Sequence, residues 1–204
     1  MASSPLEAAA SALRAGGIVV LPTDTVYGLA ASPYREEPVR RLYALKARSP
    51  EQPTALVAAS LDVLFECIPE LRGRAGTIAR VLLPGPYTLV LSNPARRFRW
   101  LNGPRPETIG VRVPDLSGPG RELLDGVGAV AATSANLSGG VDPRRLDEVP
   151  AELRAAADAC VDGGELPGTP STVLDFAGAE PRVLREGAAS GAEALQRVAE
   201  ALSP

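Results

Sequence analysis

Pro22-Thr23-Asp24-Thr25-Val26-Tyr27-Gly28-Leu29 gathers two hydroxyls, a carboxylate and a phenol within five residues. Such a set can bind a small polar metabolite, or it can satisfy its own backbone in an Asx or Ser/Thr turn. Lys46-Ala47-Arg48 carries two cations, and Lys46 is the only lysine beside 20 arginines. Counting back by three, four and seven places Lys46 on the face of Tyr43, Leu42 and Val39, the side a helix buries. A cation there needs an anionic partner or a water-filled cleft. Ser49 precedes Pro50 and is biased towards extended backbone, so the helix should end here and let both cations converge. Two convergent cations beside a polar loop suit a polyphosphate.

Thr133-Ser134-Ala135-Asn136 leaves an apolar run and enters Leu137-Ser138-Gly139-Gly140, which reads as a second polar lip. A third combines Pro170-Ser171-Thr172-Val173 with Val183-Leu184-Arg185-Glu186-Gly187. A cap or a turn explains each lip alone equally well. Together they describe a cleft of hydroxyls and arginines with no general base and no cysteine nucleophile. That set favours catalysis by positioning and charge neutralisation, as in transfer at phosphorus.

The counts exclude other chemistry. Histidine is absent, which removes Ser-His-Asp and Cys-His catalysis and imidazole metal sites. Cys67 and Cys160 are too few for a disulfide framework or a four-ligand zinc site, which suggests a reduced, cytoplasmic protein. No Gly-Lys-Ser/Thr surrounds Lys46, so there is no Walker loop. Gly126-Val-Gly128-Ala-Val-Ala131 mimics a dinucleotide fingerprint but enters a strand instead of leaving one. Arg96-Arg97-Phe98-Arg99-Trp100, with Arg105 nearby, can stack on and neutralise single-stranded nucleic acid. It reads more simply as a solvated loop anchored by one aromatic, because the net charge of −3 gives no wider signal.

The elements that must position these residues alternate between helix and strand. Ser4-Pro5-Leu6-Glu7 is a capping box opening a helix to Gly16-Gly17, followed by a buried strand at 18–21. Helices are expected at 36–47, 70–83, 119–125, 145–158 and 191–202. Strands are expected at 55–58, 87–91, 108–113, 129–132, 172–176 and 182–185. The 204 residues suit one domain, the 45% hydrophobic content suits a globular chain, and no apolar run is long enough to span a bilayer. The expected fold is α/β, a single domain (1–204) built on a twisted open mixed sheet with flanking helices and a large concave cleft.

PTDTVYGLA at 22–30, KAR at 46–48, LPGPYTLVL at 83–91, TIGVRVPD at 108–115, TSANLSGG at 133–140, and PSTVLDF with RVLREGA in 170–188 resemble the YrdC-like family of L-threonylcarbamoyladenylate synthases. The strings follow the family's order and cover nearly the whole chain. The resemblance implies formation of threonylcarbamoyl-AMP and pyrophosphate from L-threonine, bicarbonate and ATP. A separate threonylcarbamoyl transferase complex would then modify tRNA.

The resemblance also assigns residues. Thr23, Arg112, Ser134 and Ser171 would bind threonine, with Tyr27 lining the same cleft. Lys46, Arg48, Thr108, Asn136 and Arg185 would hold ATP. Lys46 and Arg48 would be the catalytic pair, Lys46 meeting phosphate and Arg48 stabilising charge as pyrophosphate leaves, and Arg112 would take the amino-acid carboxylate as a fork. Magnesium is expected on the triphosphate, with no dedicated protein ligands. The chain departs from the family around Ser49, Pro50, Gln52 and Pro53, and it lacks a histidine common there. Direct, weak RNA binding without adenylate formation is the rival reading, and a carbamoyltransferase core of the same shape is a third.

Overall fold

A computed structural model of the chain describes residues 4–49 and 51–203. Pro50, whose shift marks the departure above, lies outside the described residues.

Helix α1 (Pro5–Ala15) starts as the sequence predicts. Ser4 Oγ accepts from Glu7 N at 3.1 Å, and Glu7 Oε2 accepts from Ser4 N at 2.8 Å. It stops at Gly16, whose φ of 90° is the left-handed cap that glycine adopts freely. Strands β1 (Ile18–Pro22) and β2 (Tyr27–Ala31) form an antiparallel hairpin whose connection is the hydroxyl-rich loop 23–26. Next come α2 (Glu36–Leu45), β3 (Ala55–Ala58), α3 (Leu61–Cys67), α4 (Gly73–Leu82), β4 (Tyr87–Ser92) and β5 (Thr108–Arg112). The chain closes through α5 (Gly118–Val127), β6 (Ala129–Ser134), α6 (Ala151–Ala156), β7 (Ala159–Cys160), β8 (Thr172–Asp175), β9 (Arg182–Arg185) and α7 (Gly191–Leu202).

Nine strands form one mixed sheet in the order β7-β1-β2-β6-β3-β5-β4-β8-β9. The pairs β1/β7, β3/β5 and β4/β8 are parallel, and the others are antiparallel. The expected α/β sheet with flanking helices is therefore what forms.

Strand alternation divides the apolar residues between two faces. Val20, Leu29, Leu56, Leu89, Val111 and Leu174 pack with Leu42 of α2, Ile78 of α4 and Val198 of α7. On the other face Val19, Leu21, Ala30, Val57 and Val130 meet Leu13 of α1 and Leu123 and Leu124 of α5. That second helical layer ends at β3. Over β5, β4, β8 and β9 the same face carries no helix, and this uncovered half, together with the neighbouring ends of β2, β6 and β3, forms the concave cleft.

Gly120 matters to this layering, because a Cβ there would sit 2.6 Å from the Pro22 carbonyl. The start of α5 can therefore lie directly on the end of β1, just before loop 23–26. Among the described residues no helix is long and apolar enough to cross a membrane.

One expectation changes, and α3 and β7 were not expected. The helix expected over 145–158 is reduced to a 3₁₀ turn at Leu146–Glu148 and the short α6. Pro150 forces Val149 into extended backbone (ψ 129°) and separates the two pieces. Helix α3, capped by Ser60 Oγ on Val63 N at 3.2 Å, is too short to show a period, and the two-residue β7 gives no signal at all.

Candidate functional site

The uncovered half of the sheet bounds a cleft of about 450 Å³. Gly28, Ala55, Gly110 and Ala132 point into it, so its floor is bare sheet with room for a ligand. Around that floor stand hydroxyls from Thr23, Thr88, Thr108, Ser134 and Ser171, and the guanidinium groups of Arg48, Arg105, Arg112 and Arg185. The expected site residues Thr23, Arg48, Thr108, Arg112, Ser134, Ser171 and Arg185 are thus brought together from six segments of chain.

Helix α2 lies behind the sheet, yet its end reaches the cleft. Lys46 caps the helix, and Ala47 takes a left-handed φ of 49°, which turns Arg48 back beside it. The two cations converge on one hydroxyl: Arg48 Nη1 donates to Thr133 Oγ1 at 3.1 Å, and Lys46 Nζ to the same oxygen at 3.4 Å. Arg48 remains in the cleft wall, held also by Nη2 on the Pro53 carbonyl at 2.7 Å.

Lys46 is 2% exposed and stands behind the wall, where it also donates to the Ser134 carbonyl and to Asn136 Oδ1. Burial, then the charge of Arg48, pulls its ammonium down to about 8, and the Asp142 carboxylate partly opposes that. Asn136 is equally occupied. Its Oδ1 also accepts from Ser134 Oγ at 2.8 Å, and its Nδ2 donates to Gly140 O at 2.6 Å and Asp142 Oδ1 at 3.0 Å. Lys46 and Asn136 therefore brace the wall that Arg48 and Ser134 present.

Arg112 is buried at the end of β5. Its Nη2 is paired with Asp24 and donates to Thr25 Oγ1 at 2.9 Å, so the fork expected for a ligand carboxylate is already half used. Burial lowers its pKa, while Asp24 supports the charge. Arg185 donates to the Ser171 carbonyl at 2.7 Å, and Ser171 Oγ meets Thr88 Oγ1 at 2.9 Å.

Tyr27 does not line the cleft. Because β2 alternates, Gly28 faces the floor and Tyr27 points to the opposite face with no exposure. Its phenol lies 2.9 Å from Asp162 Oδ1 and 2.8 Å from Gly164 O, and it accepts from Gly163 N at 3.0 Å. Desolvation, first among the causes, pushes its pKa up to about 12.

Sequence reasoning missed Thr54, Thr88 and Asn102, although alternation along β4 puts Thr88 opposite Leu89. It placed Arg105 in a surface patch, whereas Arg105 turns into the cleft with Nη1 3.3 Å from Asp175 Oδ2. In the rest of that patch, Arg97 pairs with Glu70 at 2.7 Å, and Trp100 anchors the loop through Nε1 on the Pro33 carbonyl at 2.9 Å. Among the described residues, buried side-chain polar atoms without a partner are Thr54 Oγ1, Asn102 Oδ1 and Arg112 Nε, and all three residues line this cleft. Unpaired buried polar atoms are costly in a finished core, so their gathering here marks a surface shaped for something other than stability.

The Sua5/yciO/yrdC family model, described as "Telomere recombination", matches residues 11–187. The chain belongs to this family. As a Sua5/YciO/YrdC protein it is 32% identical over 201 residues to a putative threonylcarbamoyl-AMP synthase of Mycobacterium tuberculosis, covering 98% of this chain and 90% of the relative. It is 35% identical over 189 residues to the threonylcarbamoyl-AMP synthase of Pseudomonas syringae pv. syringae, covering 89% of this chain and 97% of that one. The structure of Pyrococcus abyssi Sua5 complexed with L-threonine superposes with a TM-score of 0.85 at 31% identity. That match covers 97% of this chain and 58% of the archaeal chain, which is therefore much the longer of the two.

Proposed function

We propose that this family member is an L-threonylcarbamoyladenylate synthase, forming threonylcarbamoyl-AMP and pyrophosphate from L-threonine, bicarbonate and ATP. The observation that carries the reading is the meeting of Arg48, Arg112 and Arg185 around one bare floor. Such a cleft can hold an amino-acid carboxylate and a polyphosphate together without a nucleophile of its own. The relatives named threonylcarbamoyl-AMP synthase, alike over nearly the whole chain, support the same chemistry.

Arg112 and the hydroxyls of Thr23, Ser134 and Ser171 hold threonine, and Arg48, Thr108 and Arg185 hold the nucleotide. The threonine amine first adds to bicarbonate with loss of water, giving N-carboxy-threonine. An oxygen of its carbamate group then attacks the α-phosphorus, the bond to the bridging oxygen breaks, and pyrophosphate leaves with that electron pair. Arg48, braced by Lys46 and Asn136 behind it, neutralises the departing charge. Magnesium enters with the triphosphate as part of the substrate, held by phosphate oxygens and water. The arginine and hydroxyl wall fits a nucleotide that carries its own cation. The product would pass to a separate transferase acting on tRNA.

The test is pyrophosphate release from ATP and magnesium with threonine and bicarbonate omitted in turn. Release that requires both, with the mass of threonylcarbamoyl-AMP, is expected. Release indifferent to threonine would overturn the reading.

A further inference from the structure

Asp24 belongs to the loop between β1 and β2 and is not part of the cleft wall. It stands behind Arg112, and the two side chains are 8% and 10% exposed. One carboxylate oxygen, Oδ1, is paired with Arg112 Nη2, and the other, Oδ2, accepts from Asp115 N at 3.1 Å. Asp24 thereby ties its loop both to the end of β5 and to the chain just beyond it. The second Nη2 hydrogen goes to Thr25 Oγ1 at 2.9 Å, and that hydroxyl lies 3.1 Å from Thr23 Oγ1, which lines the cleft.

Both hydrogens of Nη2 are thus committed. Nε is buried without a partner, and Nη1 has none among the described residues. A guanidinium fork needs two adjacent nitrogens, so a ligand reaching Arg112 meets Nη1 end-on. Arg185, close enough that its charge acts on Arg112, would repel it if Asp24 were neutral.

Resting on the threonine reading above, we propose that Asp24 is a positioning residue that clamps Arg112 by Nη2, and so sets which nitrogen meets the amino-acid carboxylate and how tightly that carboxylate is held. Without the clamp, a buried arginine facing a second arginine turns away, and the carboxylate loses its aligned donor. Asp24 itself touches no substrate.

Asp24→Asn keeps an oxygen acceptor in place and removes the charge. It should raise the KM for threonine about tenfold, the scale of one charge-assisted hydrogen bond, with the KM for ATP changed less than about twofold. Asp24→Ala should do more, and Asp24→Glu should recover part of the loss. The deciding measurement is a double-mutant cycle with Arg112→Ala. A residue acting through Arg112 costs little once Arg112 is gone. An equal cost of Asp24→Asn in both backgrounds, or an equal rise in both KM values, would overturn the clamp.

A second readout needs no substrate. The Arg112 Nε–H signal in ¹⁵N NMR, assigned by its loss in Arg112→Lys, should exchange slowly with water in the wild type and faster in Asp24→Asn. Unchanged exchange counts against the clamp even where turnover is absent. Slow exchange in a protein that does not use threonine would leave the clamp standing and sink the threonine reading alone.

Discussion

Arg185 Nη2 lies 2.7 Å from the carbonyl oxygen of Ser171, and Arg185 Nε lies 3.2 Å from the same atom. The arginine expected at the nucleotide therefore grips the backbone of the serine expected at threonine. Because β8 and β9 pair antiparallel with a register shift at Val173/Leu174, these residues meet at the edge of the sheet beside the cleft. The residues expected at the two substrate ends share a wall here.

Arg112→Ala and Arg185→Ala should consequently behave differently. Loss of Arg112, the residue assigned to the threonine carboxylate, should raise the KM for threonine by about tenfold to a hundredfold and leave that for ATP nearly unchanged. Loss of Arg185 should raise both, since it frees Ser171 as well as removing a cation. Steady-state kinetics with each substrate varied in turn decides this, and equal effects of Arg112→Ala on both KM values would contradict the carboxylate assignment.

How far the site was legible depended on whether a side chain's direction follows from local pattern. Thr108, Arg112, Ser134 and Ser171 lie on or at the ends of strands, and their place in the cleft matches expectation. Tyr27 also sits in a strand, and the alternation that puts Gly28 on the floor could have excluded it. Its polar neighbours Thr23, Asp24 and Thr25 make it look like part of the cleft instead. Lys46 was rightly read as a buried cation, but in place of the expected anionic partner or water-filled cleft it meets neutral oxygen acceptors. That those acceptors are Thr133, Ser134 and Asn136 is a contact between α2 and β6, which no local pattern encodes. The mixed sheet was readable, but its strand order was not, because pairs such as β4 with β8 join segments more than 80 residues apart.

Tyr27→Phe provides a structural contrast to the cleft variants. It strips the partner from Gly163 N and weakens the loop at Asp162–Gly164. A loss of about 1–3 kcal/mol in unfolding free energy is expected. Both KM values should stay within about twofold of the wild type, because the phenol faces away from the cleft. Urea titration and kinetics on the same preparation check it, and a selective rise in threonine KM would return Tyr27 to the site.

Replacing Arg96, Arg97 and Arg99 together by alanine should leave adenylate formation intact. Arg97 is spent on Glu70, and none of the three lines the cleft. The variant separates the enzyme reading from the RNA reading. Unchanged pyrophosphate release is expected, and a loss of release would mean that this loop shapes the cleft. If RNA binding falls in the same variant, filter-binding at low salt will locate it on this loop, apart from the chemistry.

Lys46 gives the pH prediction. Its ammonium, at about 8 in the fold against 10.5 in a free side chain, makes all its hydrogen bonds as a donor. Deprotonation leaves the Ser134 carbonyl and Asn136 Oδ1 facing a neutral amine and loosens the wall that carries Arg48. The value of kcat/KM for ATP should therefore fall as pH rises through about 8. The Asp142 charge favours the protonated form, so Asp142→Asn should move this limb to lower pH. Stability changes in the opposite sense. Between about 8 and 10.5 the unfolded chain binds the proton that the fold has released, so the contribution of Lys46 to folding improves with rising pH. Activity that falls while the Lys46 contribution to stability rises is a signature that general alkaline unfolding cannot produce. A limb unmoved by Asp142→Asn would remove Lys46 from the rate profile.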